Sequence, residues 1–135
     1  MFKIIKIIYF IFFIFHFLFF QAVNAQEKIK IGLLVPMTGE NKEIGESIIK
    51  AVGLAVKDID NDLIEIYPKN TATKANQTLK SAFELSEIGI KIVIGPVFHE
   101  SLTYLDEMKD LTFLSLTNKT LELPKNVISA GINST

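Results

Sequence analysis

From residue 28 onwards, short apolar runs that end at proline or glycine alternate with longer segments in which apolar residues recur at helical spacing. The runs predict five strands, and the segments between them predict three helices. The predicted strands are Lys28–Pro36, Leu63–Tyr67, Lys91–Gly95, Thr112–Leu116 and Val127–Ile132. Their order, βαβαβαββ, favours a parallel sheet with helices on both faces and right-handed crossovers. The predicted fold class is therefore α/β.

The three predicted helices are marked by different signals. The first is predicted from an apolar face that consists of Ile44, Ile48, Ala51, Val52, Ala55 and Ile59. The second is expected to begin with Thr73 as its N-cap and to stop at Gly89. Its buried face is predicted to consist of Ala75, Leu79, Ala82, Phe83 and Ser86. The third is the short segment Glu100–Lys109, with Leu102, Leu105 and Met108 on one side.

The first 25 residues have the pattern of a secretory signal peptide. Two lysines precede an apolar run, Ile7–Phe20, that is interrupted only by His16. Val23 and Ala25 then stand at the −3 and −1 positions of a cleavage site. The alternative is an uncleaved anchor, but the run is short compared with the roughly 20 residues that a membrane span needs. We expect residues 1–25 to be removed and residues 26–135 to be periplasmic.

Composition excludes several classes of function. Residues 26–135 hold 12 lysines, 15 acidic residues and no arginine, so a nucleic-acid partner is not expected. The chain has no cysteine, which excludes disulfides, thiolate metal sites and a lipid anchor on cysteine. With only two histidines, a catalytic zinc is not expected either. The sequence predicts no metal and no cofactor.

In sheets of this kind, ligands bind at the carboxyl ends of the strands. That rule selects three loops, Met37–Gly45, Pro96–Ser101 and Thr117–Leu121. The first loop lacks the glycine pattern of a dinucleotide site and the Gly-Lys-Ser/Thr of a phosphate loop. His99 and Glu100 have the residue types of a catalytic acid–base pair. A simpler interpretation is that they line a polar cleft, with Glu100 in the first turn of a helix. The chain is predicted not to be an enzyme.

The segment 28–135 resembles the type I periplasmic binding proteins of the leucine/isoleucine/valine-binding family. The resemblance rests on 29–39 (IKIGLLVPMTG), on Gly45 and an Ala-containing helix that runs into Asp58, and on Ile92–Gly95 and Leu114–Thr117. It implies two α/β lobes with a ligand trapped between them, of which residues 26–135 would form part of the first. It also implies the solute-binding component of an ABC-type amino-acid transporter, which works with a membrane permease. The small-molecule ligand would be shared with a second lobe that this chain lacks.

The family holds an amino acid's carboxylate after the third strand and its ammonium group after the fourth. Carried over to this sequence, the resemblance implies ligand-binding roles for Thr38, His99, Ser101, Thr117, Asn118 and Thr120. Two residues depart from the family pattern. His99 stands where a small hydroxyl residue is usual, and Glu100 would repel a carboxylate.

Two alternatives remain open on the sequence. Gly95–Phe98 and Leu114–Asn118 also resemble the binding-protein-like domain of penicillin-binding protein activators, which contact a peptidoglycan synthase instead of capturing a solute. The other alternative is a truncated product with no function of its own. In either reading, a lone first lobe is expected to bind amino acids weakly or not at all, and to leave an open sheet edge after the fifth strand.

Overall fold

The computed structural model of the chain describes residues 1–20, 26–119 and 122–131. Within these ranges it contains three α-helices, five strands and two short 3-10 helices. The α-helices are α1 (Phe2–Phe20), α2 (Lys42–Ile59) and α3 (Ala75–Glu87). The strands are β1 (Ile29–Val35), β2 (Ile64–Asn70), β3 (Ile92–Ile94), β4 (Thr112–Ser115) and β5 (Val127–Ser129). The 3-10 helices are His99–Leu102 and Leu105–Glu107.

The five strands form one parallel sheet in the order β2-β1-β3-β4-β5. One row across it joins Gly32 to Val93, Val93 to Phe113 and Phe113 to Val127. Because paired residues of a parallel sheet point to the same side, this row lies on one face of the sheet. The predicted parallel α/β sheet is confirmed.

Helix α3 and the 3-10 helices cover the face that carries this row. Val93 and Phe113 are fully buried there, and the Leu85 side chain of α3 packs against them. A Cβ at Gly32 would lie 2.7 Å from the Leu85 Cδ1 atom, so α3 approaches β1 closely. We call this side of the sheet the covered face.

Helix α2 packs on the opposite face, over β1. Leu33, which alternates with Gly32 along β1, is 1% exposed there. Contact is closest at Gly45, where an added Cβ would lie 1.8 Å from the Pro36 carbonyl oxygen. The apolar residues that predicted α2 face the sheet only in part, at Ile48 and Val52. Ile44, Ala51, Ala55 and Ile59 are exposed, and the sheet-facing side consists of Gly45, Ile48, Ile49, Val52 and Val56.

The predicted start of α3 is wrong, and its predicted buried face is right at Ala82 but wrong at Phe83. Lys74 occupies the N-cap position, and Thr73 lies outside the helix with φ 56°. The buried residues are Thr78, Ser81, Ala82 and Leu85, whereas Phe83 is 55% exposed. Two of them are polar, and each donates its hydroxyl to a backbone carbonyl, from Thr78 to Lys74 and from Ser81 to Asn70. A search for apolar periodicity overlooks polar residues that are buried in this way.

Strand β2 and the segment after β3 also differ from the prediction. Strand β2 continues through Pro68 to Asn70 instead of stopping at the proline. It lies at the edge of the sheet, where a missing backbone N–H does not interrupt the ladder. The predicted α-helix Glu100–Lys109 is wrong, since the two 3-10 helices stand in its place. Leu102 in the first of them and Leu105 in the second are both buried.

The N-terminal segment is helical over Phe2–Phe20. Among the residues that the structure describes, no helix combines the length and apolar character needed to cross a membrane. Val23 and Ala25, the residues of the expected cleavage site, lie outside the described ranges. Removal of residues 1–25 stays a prediction.

Candidate functional site

The loops that follow β3, β4 and β5 are tied together by hydrogen bonds at one edge of the sheet. The Pro96 carbonyl accepts bonds from the Ser115 hydroxyl at 2.9 Å and from the Leu116 N–H at 3.0 Å. The Ser129 hydroxyl donates to the Thr117 carbonyl at 2.8 Å. All three loops are therefore held in a fixed relative position.

Two glycines permit the close approach of these loops. Gly95 has φ 100°, and a Cβ there would lie 2.2 Å from the Leu34 carbonyl oxygen. A Cβ at Gly131 would lie 2.1 Å from the Thr117 carbonyl oxygen. Larger residues at either position would push the strand ends apart.

A cavity of about 820 Å³ opens where these loops meet. Its walls are two stretches, Val97–Glu100 after β3 and Leu116–Lys119 after β4, together with Ala130 and Gly131 after β5. The polar side chains on the walls are those of His99, Glu100, Thr117, Asn118 and Lys119. The cavity lies at the edge of the sheet that the strand-end rule selects.

Two buried polar atoms in the 3-10 helix that borders this cavity have no hydrogen-bond partner among the described residues. One is Nδ1 of His99, and the other is Oγ of Ser101, whose residue is 1% exposed. A buried polar atom without a partner is costly, and such atoms mark places where a water or ligand atom completes the bonding. His99 also lines a second cavity of about 510 Å³, bounded on its other side by Tyr104 and Glu122–Pro124. Its ring therefore separates two openings.

The structure brings most of the predicted ligand residues together. His99, Thr117 and Asn118 line the cavity, and Ser101 lies next to it in the His99–Leu102 helix. The Thr117 hydroxyl accepts a bond from the Lys119 N–H at 3.3 Å. Thr120 lies outside the described residues.

Thr38 lies apart from this group. Its hydroxyl accepts a bond from the Asn70 side-chain amide at 2.8 Å. The Asn70 side-chain oxygen, Oδ1, in turn accepts bonds from the backbone N–H groups of Met37 and Ala72. Asn70 thus fastens the loop after β1 to the end of β2, and this loop contributes no residue to the cavity wall.

Sequence reasoning did not select Lys119, Ala130 or Gly131. Lys119 lies inside a selected loop, but a single exposed lysine does not by itself indicate a binding role. Ala130 and Gly131 follow β5, whose carboxyl end was not among the selected loops. The available signal was Gly131 itself, a glycine inside the predicted strand Val127–Ile132, which the structure ends at Ser129.

The described groups with a shifted pKa lie on β2 and α3. The Tyr67 hydroxyl donates to the Glu65 carboxylate at 2.8 Å, which lowers the pKa of Glu65 and raises that of Tyr67. The Lys69 ammonium group lies 2.7 Å from the Glu84 carboxylate and lowers the pKa of Glu84. The first pair lies within β2 and the second links β2 to α3, and neither contributes to the cavity wall.

The cavity offers hydrogen-bonding groups of both charge signs. Lys119 and Glu100 are exposed at its walls, and His99, Thr117 and Asn118 add further donors and acceptors. In the described part of the chain, no group of three or more His, Asp or Glu side chains is placed to hold a metal ion. Such an arrangement suits reversible binding of a small polar molecule.

Solved structures with the same fold come from two groups of proteins. A branched-chain amino-acid ABC transporter protein from Rhodopseudomonas palustris matches with a TM-score of 0.67 and 15% identity, over 78% of this chain and 33% of its own. LivJ of Streptococcus pneumoniae, solved with isoleucine, matches with a TM-score of 0.63 and 19% identity, over 75% of this chain and 33% of its own. The C-domain of LpoA from Haemophilus influenzae, a regulator of PBP1A, matches with a TM-score of 0.62 and 21% identity, over 76% and 32%.

This likeness confirms the fold that the sequence resemblance implies, the α/β lobe of the type I periplasmic binding proteins. The chain spans about a third of the length of the solved structures that it matches. No model of a known protein family matches the sequence, and no curated protein sequence does.

Proposed function

We propose that this chain forms part of the first lobe of a periplasmic solute-binding protein that serves an ABC-type amino-acid transporter. In this proposal, residues 1–25 direct export and are removed. The ligand is a small amino acid or a similar zwitterion, held between the cavity described above and a second lobe. A membrane permease then receives the ligand, and the chain catalyses no reaction.

One observation carries the proposal. The cavity lies at the carboxyl ends of β3, β4 and β5, and the 3-10 helix that borders it holds two buried atoms, Ser101 Oγ and His99 Nδ1, without partners among the described residues. A ligand carboxylate would accept a hydrogen bond from the Ser101 hydroxyl, and Glu100 at the wall would attract an ammonium group. A ligand with both charges therefore fits the wall better than a simple anion does.

A second function is favoured by a separate observation. The LpoA C-domain matches this chain about as well as the amino-acid-binding proteins do. In that alternative the chain regulates peptidoglycan synthesis by contact with a synthase, and the cavity takes no solute.

The test is an NMR titration of the purified, exported protein with each of the 20 common amino acids. We expect one or a few of them to shift the amide signals of 97–101, 116–119 and 130–131. Because the chain provides only one wall of the site, the dissociation constant should be about 1 mM or weaker. Asn118→Ala should weaken binding further, whereas the control Thr103→Ala, on the wall of the second cavity only, should not.

Two results would contradict the solute-binding proposal. One is the absence of any shift with all amino acids, together with specific retention of a peptidoglycan synthase by the immobilised protein, which would support the alternative. The other is an equal effect of Asn118→Ala and Thr103→Ala. A micromolar dissociation constant would contradict the expectation that a second lobe is needed.

A further inference from the structure

The residue that follows the expected cleavage site is a glutamine. Cleavage after Ala25 makes Gln26 the first residue of the exported protein. Its α-amine, which is bonded to Ala25 in the uncleaved chain, then becomes free. The side-chain amide carbonyl of an N-terminal glutamine lies at the spacing from this amine that closes a five-membered ring. Such a residue therefore holds a nucleophile and its target within reach of each other.

Gln26 is exposed and unattached in the structure. Residues 26–28 adopt no regular secondary structure, and all three are exposed to solvent. Among the described residues, none forms a hydrogen bond with the side chain or the backbone of Gln26. Nothing in the described part of the chain therefore keeps the side-chain amide away from the amine.

The chain is held in place from Lys28 onwards. The Lys28 ammonium group donates to the Asp62 backbone carbonyl at 2.8 Å and lies 3.5 Å from a Glu65 carboxylate oxygen. Strand β1 begins at the next residue, Ile29. The exported protein would thus begin with two free residues on a fixed strand, at the opposite end of that strand from the loops that form the cavity.

We propose that Gln26 of the exported protein is converted to pyroglutamate, so that a neutral lactam closes the N-terminus. This modification rests on the proposed function only through the removal of residues 1–25. It involves neither the cavity nor its ligand, and it requires no second lobe.

The reaction balances within Gln26 alone. The lone pair of the neutral α-amine attacks the side-chain carbonyl carbon, Cδ, and a new C–N bond forms. The bond between Cδ and the side-chain nitrogen breaks, and this nitrogen takes one proton from the amine and leaves as ammonia. No oxidant, reductant or second substrate takes part. The product is a cyclic amide with no titratable group at the N-terminus.

The lactam changes the charge and the protease resistance of the chain end. It removes the positive charge of the α-amine, as other modifications of a terminal amine do. It also removes the free amine that an aminopeptidase recognises, and exposed chain ends are where proteolysis concentrates. Stepwise removal of residues 26–28 would take away Lys28 and both of its contacts, to Asp62 and Glu65. Pyroglutamate at residue 26 therefore protects the attachment of the start of β1.

The test is mass spectrometry of the full chain, expressed with its leader, purified after export and incubated for a prolonged period at neutral pH. The wild type should be lighter than unmodified 26–135 by about 17 Da, the mass of ammonia, and the loss should map to the N-terminal proteolytic peptide. Gln26→Asn is the matched control. It keeps the amide but is one methylene shorter, so the same attack would need a strained four-membered ring. This variant should keep its full mass.

Aminopeptidase digestion gives a second readout that does not depend on mass resolution. The wild type should keep its first residue, whereas Gln26→Asn should lose residues from its N-terminus under the same conditions. Digestion of both proteins at the same rate would contradict the proposal.

The possible masses separate a failure of this proposal from a failure of the proposed function. A wild type that begins at Gln26 but keeps its free amine after the incubation overturns the pyroglutamate proposal alone. A mass that includes residues 1–25, or a first residue other than Gln26, overturns both this proposal and the removal of residues 1–25. An equal loss of ammonia from Gln26→Asn would place the reaction at another residue and would also overturn the proposal.

Discussion

The two faces of the sheet are built from neighbouring residues of the same strands, yet they differ sharply in burial. On β3, Val93 is fully buried on the covered face, whereas Ile92 is 55% exposed on the other. On β4 and β5, Phe113 and Val127 are buried while Leu114 and Ile128 are exposed. The strands carry apolar residues on both faces, but the helices among the described residues cover only one face across its full width.

The largest expected effect is the loss of the central residue of the covered face. Phe113→Ala should lower the free energy of unfolding by about 3–5 kcal/mol, because it leaves a cavity in a fully packed site. Leu114→Ala, at the next residue and on the other face, should lower the free energy of unfolding by less than about 2 kcal/mol. Urea denaturation at low protein concentration measures both. Equal losses would contradict the difference between the faces.

The next effect concerns the closest contact between α2 and the sheet, at Gly45. Gly45→Ala should destabilise the fold by at least about 2 kcal/mol, because its Cβ would meet the Pro36 carbonyl. Gly53→Ala is the matched variant, on the same helix with open space around the added Cβ. It should stabilise the protein by about 0.5–1 kcal/mol through helix propensity. Thermal denaturation should show a lower midpoint temperature for Gly45→Ala and a higher one for Gly53→Ala. Shifts of the same sign would contradict the contact between Gly45 and Pro36.

A smaller effect distinguishes two buried serines on the covered side. Ser81→Ala removes a hydroxyl that donates to the Asn70 carbonyl at 2.7 Å, and should cost about 1 kcal/mol. Ser101→Ala removes a buried hydroxyl without a partner, and should be neutral or stabilising by up to about 1 kcal/mol. Urea denaturation without ligand is the measurement. A loss at Ser101 as large as that at Ser81 would mean that its hydroxyl is already satisfied.

The smallest effect is expected at the ion pair between β2 and α3. Lys69 lowers the pKa of Glu84, so the pair adds stability above the unfolded pKa of Glu84 and loses it as the pH falls through the folded pKa. Glu84→Gln should therefore be slightly less stable than the wild type at neutral pH and equal to it in acid. Because both side chains are partly exposed, the difference should also shrink in high salt. A difference that persists in acid would point to packing instead of charge.

The strands could be predicted because each is a compact apolar run, and their parallel order followed from the alternation with helices. The faces of the helices could not be predicted in the same way. Helix α3 buries Thr78 and Ser81 because backbone carbonyls satisfy their hydroxyls, and this depends on tertiary neighbours. Helix α2 carries two apolar sides, and sequence periodicity does not tell which of them meets the sheet.

The candidate site could be predicted in part for a related reason. His99, Thr117 and Asn118 were found because the carboxyl ends of β3 and β4 meet at one edge. Thr38 also follows a strand, but Asn70 binds its hydroxyl and holds its loop beside β2. The contribution of Gly131 depends on how closely β5 approaches Thr117, which is a property of the assembled sheet.

The side chain of Asn126, just before β5, couples the local unfolding of two segments of the chain. The Asn126 amide donates to the carbonyls of Leu105, Met108 and Leu111, which all belong to the segment between β3 and β4. When β5 detaches, these carbonyls lose their shared donor at the same moment. Amide hydrogens in 105–111 and in β5 should therefore exchange with solvent at a common rate, as one cooperative unit. Detachment of β5 should thus release a segment that precedes it by some 20 residues.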